Sequence, residues 1–206
     1  MDHASFNVLA VATGIAIVLA SLTVHEASHA WTAERLGDST ARRLGRVSLN
    51  PLVHIDLIGT VLLPLIAVLS NFPLIGWAKP VPVDMRQLAH PRRDFAIVAA
   101  AGPLSNIGLA VLSALILRLF TESGAMEGFL IAFLRTNVFL AVFNLLPVPP
   151  LDGGNVLAGV LPARVASAFV ALSPFGFLVL YALMFTGLLA ELILPPAFFL
   201  IGLLLP

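Results

Sequence analysis

The fold of this chain is decided by residues 6–36, which read FNVLAVATGIAIVLASLTVHEASHAWTAERL. The part before the first histidine carries no charged side chain, and about 20 residues of this kind cross a bilayer as a helix. The helix is expected to continue through His25, Glu26 and His29 until Gly37 offers a C-terminal stop. Because a charged group near the bilayer centre costs about 2.5–3.5 kcal/mol on insertion scales, this placement predicts a functional site.

The composition of the whole chain also indicates a membrane protein. Of its 206 residues, 59% are hydrophobic and 11% are charged, whereas a typical soluble domain has about 25% charged residues. A soluble chain of this length could not cover so much apolar surface. The zero net charge argues against a nucleic-acid partner, and the absence of cysteine excludes disulfides and thiolate zinc sites. We expect one domain, residues 1–206, embedded in the lipid bilayer.

Six apolar stretches predict an all-α polytopic membrane protein with about five to six membrane-embedded helical segments. They are residues 6–24, 57–78, 95–117, 128–151, 165–190 and 192–206. The last stretch is short and contains Pro195 and Pro196, so it is expected either to cross incompletely or to lie at the interface.

The basic residues predict the orientation of these segments. Four of them follow the first helix and four precede residue 95, so the positive-inside rule places both loops in the cytoplasm: Arg35, Arg42, Arg43 and Arg46, then Lys79, Arg86, Arg92 and Arg93. Residues 55–78 must then enter and leave on one side, and their prolines and glycines predict a broken, re-entrant element. Just before it, residues 46–50 alternate polar and apolar side chains and predict a short strand.

The spacing of His25 and His29 indicates a zinc site. Residues four apart share one helical face, so both imidazoles can reach one ion, while Glu26 is turned by about 100° and can approach a water on that ion. A catalytic zinc usually has three protein ligands. Asp152 and His54 are the candidates for the third, and Asp152 is expected at the same membrane face as the two histidines.

Several motifs together resemble the site-2 protease family of intramembrane zinc metalloproteases, in its compact prokaryotic type without a PDZ domain. They are His25-Glu26-x-x-His29, Gly102-Pro103-Leu104-Ser105-Asn106, NLLPVPPLDG at 144–153, and the stretches 49–60 and 76–84, all within residues 20–160. The resemblance implies that His25, His29 and Asp152 bind one Zn2+ per chain and that Glu26 is the catalytic base. It also implies membrane-spanning protein substrates and, with the charge pattern, a site near the cytoplasmic side of the cell (inner) membrane.

Polar residues within the apolar stretches add further candidates. Asn106 and Asn144 are candidate donors to the oxyanion or to substrate, although hydrogen bonding between helices is the commoner role of membrane asparagines. Asn137 is expected to pack between helices. Arg135 is expected to snorkel outward or to pair with Glu122 or Glu127.

The function expected from these features is an intramembrane zinc metalloendopeptidase. One alternative is a membrane zinc transporter, which would need a continuous polar path across the bilayer. The other alternative is a catalytically silent scaffold of the same fold, which would have no need for Glu26. The outer halves of the apolar stretches contain almost no ionisable group apart from Arg135, which favours the protease over the transporter.

Overall fold

The computed structural model describes residues 8–70, 76–120 and 124–205, and within these ranges it is all-helical without a strand. The α-helices are α1 (Val8–Arg35), α2 (Thr40–Arg43), α3 (Leu63–Ser70), α4 (Pro91–Phe120), α5 (Ala125–Asn144), α6 (Asp152–Val160), α7 (Ala163–Val170), α8 (Gly176–Phe185) and α9 (Leu188–Leu204). A π-helical segment, Leu57–Leu62, leads into α3, and short 3-10 helices cover Pro51–Val53, Met85–Gln87 and Ser173–Phe175. The predicted all-α class is confirmed.

Four helical stretches are long and apolar enough to cross a membrane: Leu9–Arg35, Pro91–Leu119, Ala125–Asn144 and Ala163–Phe185, the last of which combines α7 and α8. The shorter Leu188–Leu204 does not reach that length, so the part of the chain that the structure describes contains four spans, and the expected five to six segments are not confirmed. Large apolar side chains lie exposed along these helices, as expected for surfaces that face lipid.

The buried core lies between α4, α5 and α9. Its members are Ala110, Ala114 and Leu117 of α4, Leu130, Leu134, Val138 and Val142 of α5, and Ala197 and Ile201 of α9. The alanines of α4 lie on one face and allow the backbones to approach closely, as is common between membrane helices. α1 packs against α4 and α5, and α6 packs against α4, so the chain's functional motifs meet around α4.

The segment between α1 and α4 begins and ends at the same end of the bundle. The C-terminal half of α1 contacts the N-terminal half of α4, because the Nδ1 atom of His29 lies 2.7 Å from the carbonyl oxygen of Val98. This arrangement agrees with the re-entrant element expected at residues 55–78, of which residues 71–75 lie outside the described residues.

The short strand predicted at residues 46–50 is wrong. The backbone N–H of Arg46 donates to the carbonyl of Ala41 at 2.8 Å and closes the turn after α2. The carbonyl of Ser48 accepts a hydrogen bond from the His54 side chain at 2.8 Å. These local bonds bend the backbone, and Arg46 is buried. The alternation does not mark the two faces of a strand here, because the polar Arg46 is buried while the apolar Leu49 is exposed.

Candidate metal centre

The structure brings His25, His29 and Asp152 together in one cluster. The Nε2 atoms of the two histidines are 3.1 Å apart, and Oδ2 of Asp152 lies 3.1 Å from the first and 3.4 Å from the second. Both histidines are buried and Asp152 is partly buried. Ligands at about 2.0–2.1 Å from a tetrahedral zinc ion stand about 3.3–3.4 Å from one another, so the separations fit that ion.

The hydrogen bonds of the imidazoles determine which nitrogens remain free. The Nδ1–H of His25 donates to Oδ1 of Asn106 at 2.6 Å, and the Nδ1–H of His29 donates to the carbonyl of Val98 at 2.7 Å. Both partners are acceptors, so each Nδ1 carries the proton and each Nε2 keeps a lone pair. Two nitrogen lone pairs and a carboxylate oxygen thus point toward one another with no hydrogen-bond donor between them. A bound cation relieves the electrostatic repulsion between these three atoms.

A glycine on α4 leaves the room that this cluster needs. A Cβ atom at Gly102 would lie 2.4 Å from Nε2 of His29 and 2.5 Å from Nε2 of His25. The backbone of α4 therefore passes directly beside the two Nε2 atoms. Gly102 fits this site because every other residue would place a carbon atom against the two imidazoles.

Asp152 reaches the cluster because the chain folds back sharply after α5. The backbone of the segment between α5 and α6 lies against the start of α6, so that a Cβ atom at Gly153 would lie 2.2 Å from the carbonyl oxygen of Leu145. A Cβ atom at Gly154 would lie 2.7 Å from the nitrogen of Pro149. The proline-rich stretch ends α5, and the two glycines let α6 begin with Asp152 facing α1.

Glu26 lies beside the cluster and lines the same cleft, which has a volume of about 700 Å³. Its side chain is buried, with 8% of the residue exposed. The other walls are mostly apolar and come from α1, α4, the end of α5, the segment 76–83 and Phe177 of α8. Hydrophobic walls around a few convergent polar groups are typical of a substrate site.

The segment 76–83 forms one wall of this cleft. Trp77 donates its N–H to the carbonyl of Gly59 at 3.2 Å, and Lys79 donates to the carbonyl of His54 at 2.9 Å. The backbone N–H and C=O of Ala78, which point away from these bonds, have no partner among the described residues. The backbone N–H groups of Trp77 and Lys79 are therefore paired, whereas the backbone of Ala78 is unpaired within the described residues. This was not expected from the sequence, because two prolines interrupt any strand pattern.

Arg46 is hydrogen-bonded to the segment 76–83. Its guanidinium donates to the carbonyls of Lys79 and Pro80, and its Nε has no hydrogen-bond partner among the described residues. Burial lowers the pKa of Arg46, while the negative charge of Glu26 raises it. A positive charge thus lies within electrostatic range of Glu26, which the sequence did not suggest.

The other residues proposed from the sequence lie in different places. Asn106 is fully buried, is bonded to His25 and is not among the residues that line the cleft. Asn144 lines the cleft and donates one amide hydrogen to the carbonyl of Leu140 at 2.9 Å, which leaves its second hydrogen free for a ligand. His54 donates to Ser48 and lies outside the cluster.

Arg135 is exposed on α5 beside an apolar groove. It forms no ion pair with Glu127 in the described part of the chain, and Glu122 lies outside that part. The expected pairing with Glu127 is therefore not found.

Comparisons with known proteins relate the chain to a group of peptidases. The model of peptidase family M50 matches residues 120–187. "Putative zinc metalloprotease YwhC" of Bacillus subtilis is 34% identical over 198 residues, which cover 91% of this chain and 87% of that protein. "Putative zinc metalloprotease Rip2" of Mycolicibacterium smegmatis is 36% identical over 171 residues, which cover 82% of this chain and 64% of that protein. No solved structure matches the chain significantly.

Proposed function

This chain belongs to peptidase family M50 and is a zinc metalloendopeptidase, and we propose that it cleaves peptide bonds in or near the membrane-spanning segments of other proteins. The site-2 protease resemblance is thereby confirmed, and the transporter and scaffold alternatives lose their support. The observation that carries the proposed site is the convergence of three acceptor atoms from His25, His29 and Asp152 without a donor among them.

We assign His25, His29 and Asp152 as the residues that hold one zinc ion. When bound there, zinc supplies Lewis-acid polarisation of the substrate carbonyl and lowers the pKa of a coordinated water to about 7. Glu26 takes a proton from the attacking water and passes it to the leaving amine nitrogen as the C–N bond breaks. Asn144 is the residue of the cleft whose free amide hydrogen is suited to the developing oxyanion.

The substrate must reach this site as unwound chain, because a helix hides its carbonyls in internal hydrogen bonds. The unpaired backbone N–H and C=O of Ala78 support pairing with such a chain by β-augmentation. Pro80 and Pro82 lack an N–H, so they offer no donor for such pairing and the paired stretch is short.

We place the cluster nearer the cytoplasmic side of the cell membrane, which is the inner membrane where there are two. The basic residues Arg35, Arg42 and Arg43 follow α1 at the end of the bundle where the cluster lies. The positive-inside rule assigns that end to the cytoplasm.

The experiment that tests the proposed function replaces Glu26 by glutamine. We expect Glu26→Gln to keep one zinc per chain and to lower cleavage of a single-span reporter peptide by about 10²–10⁴-fold, the usual contribution of a general base. Glu34→Gln is the matched control, because Glu34 lies on the same helix and pairs with Arg42. Cleavage by Glu26→Gln at the rate of this control contradicts the assignment of the base, and zinc movement across vesicles would favour a transporter.

A further inference from the structure

A line of buried polar side chains connects α5 with the metal cluster. Asn106 donates its Nδ2 hydrogen to Oδ1 of Asn137 at 2.8 Å, and Asn137 donates to Oγ of Ser21 at 2.9 Å. Both asparagines and Ser21 have no exposed surface. The line ends at His25, whose Nδ1 lies 2.6 Å from Oδ1 of Asn106.

The direction of every bond in this line follows from one backbone carbonyl. The carbonyl of Phe133 can only accept, and Nδ2 of Asn137 donates to it at 2.9 Å. Oδ1 of Asn137 must then face Asn106, so Asn106 donates a hydrogen bond to it from its Nδ2 group. This leaves Oδ1 of Asn106 toward His25, which selects the Nδ1–H tautomer and keeps Nε2 free.

A side-chain amide by itself does not fix the tautomer of a histidine. An amide turned by half a rotation would offer an N–H to Nδ1 of His25, and the proton of the ring would then occupy Nε2. Apart from Asn137, Asn106 has one further partner that opposes this rotation, the carbonyl of Ser21 at the long distance of 3.4 Å. The tautomer of His29 needs no second residue to fix it, because the backbone carbonyl of Val98 accepts a hydrogen bond directly from its Nδ1.

We infer that Asn137 is a positioning residue for the zinc site: it holds the amide of Asn106 in the one orientation that leaves Nε2 of His25 available to the metal. This inference rests on the proposed function, because it takes His25 as a ligand. The sequence suggested only a packing role for Asn137.

The test measures the zinc affinity of the purified full chain by competition with a chelator. We expect Asn137→Leu to weaken zinc binding by up to about 10- to 100-fold, the range seen when the outer partner of a ligating histidine is lost, because Asn106 can then turn its amide away from the orientation that His25 needs. Adding Asn106→Asp to this variant is expected to restore most of the affinity, because a carboxylate presents an oxygen to His25 whichever way it turns. Asn137→Ala serves for the same comparison if leucine is not tolerated.

A matched control separates positioning from packing. Leu134 is fully buried on the same helix, so Leu134→Ala is expected to lower the melting temperature while zinc affinity stays at the wild-type value. Wild-type affinity in both Asn137 variants overturns the inference, and so does a loss of affinity that Asn106→Asp fails to reverse. If the wild-type chain binds no zinc, the proposed function fails with it, which is a separate result.

Discussion

A methyl group at Gly102 is expected to abolish zinc binding. The Cβ atom of Gly102→Ala would lie 2.4 Å from Nε2 of His29 and 2.5 Å from Nε2 of His25, whereas ordinary contacts begin at 3.4 Å. Each imidazole would therefore have to move by about 1 Å, and zinc sites tolerate deviations of only about 0.2 Å. The rings cannot swing aside freely, because Asn106 and Val98 hold their Nδ1 atoms at 2.6 and 2.7 Å.

The measurement is the zinc content per chain by mass spectrometry, together with cleavage of a single-span reporter peptide. We expect the zinc content of Gly102→Ala to fall from one toward zero and cleavage to fall by at least about 10²-fold, as a 1 Å misplacement can cause. Gly108→Ala is the control on the same helix, because its Cβ atom would meet nothing within 4 Å. A Gly102→Ala protein with one zinc per chain and the activity of the control refutes the reasoning.

Three other substitutions test separate parts of the site. Asp152→Ala removes the third ligand, so the purified protein should hold less than one zinc per chain, and an unchanged content contradicts the ligand set. Ala78→Pro removes the unpaired N–H at this position and should raise KM with zinc retained, while Ala78→Ser should not; equal KM values exclude the pairing. Arg86→Ala should raise the pKa of Asp84 from about 2 toward 3.8 in an NMR titration, because the hydrogen bond from Arg86 is the main cause of the low pKa of Asp84. An unchanged pKa contradicts that cause.

The sign of the last effect follows from the direction of the shift. A carboxyl whose native pKa is depressed stabilises the folded state above its ordinary pKa, and that contribution is lost as the pH falls from 3.8 toward 2. The side chain of Arg86 is 90% exposed and that of Asp84 is 27% exposed, so solvent screens the pair and the change in overall stability is expected to be small.

Much of the site could be predicted from the sequence because its signals are local. The four-residue spacing of His25 and His29 fixes their common face on any helix. The prolines before Asp152 and the glycines after it indicate a sharp turn independently of the rest of the fold. The basic residues of the loops then indicated that this turn and the C-terminal part of α1 lie at the same membrane face.

The parts that could not be predicted depend on contacts between distant segments. The need for glycine at position 102 arises only when α4 packs against both imidazoles, and nothing in the neighbouring residues announces that approach. The role of Asn137 depends on α5 lying next to both α1 and α4. The strand expected at residues 46–50 was wrong for the same reason, because Arg46 is bound to the distant segment 76–83 and not to a neighbouring strand.

The central claim is that one zinc ion is held by His25, His29 and Asp152. The most direct measurement is an anomalous diffraction map of crystals of the purified protein, recorded at the zinc absorption edge. We predict one peak per chain, about 2.0–2.2 Å from Nε2 of both histidines and from a carboxylate oxygen of Asp152. The account is contradicted if a zinc-loaded, active protein gives a peak away from these three atoms. It is also contradicted if such a protein gives no peak.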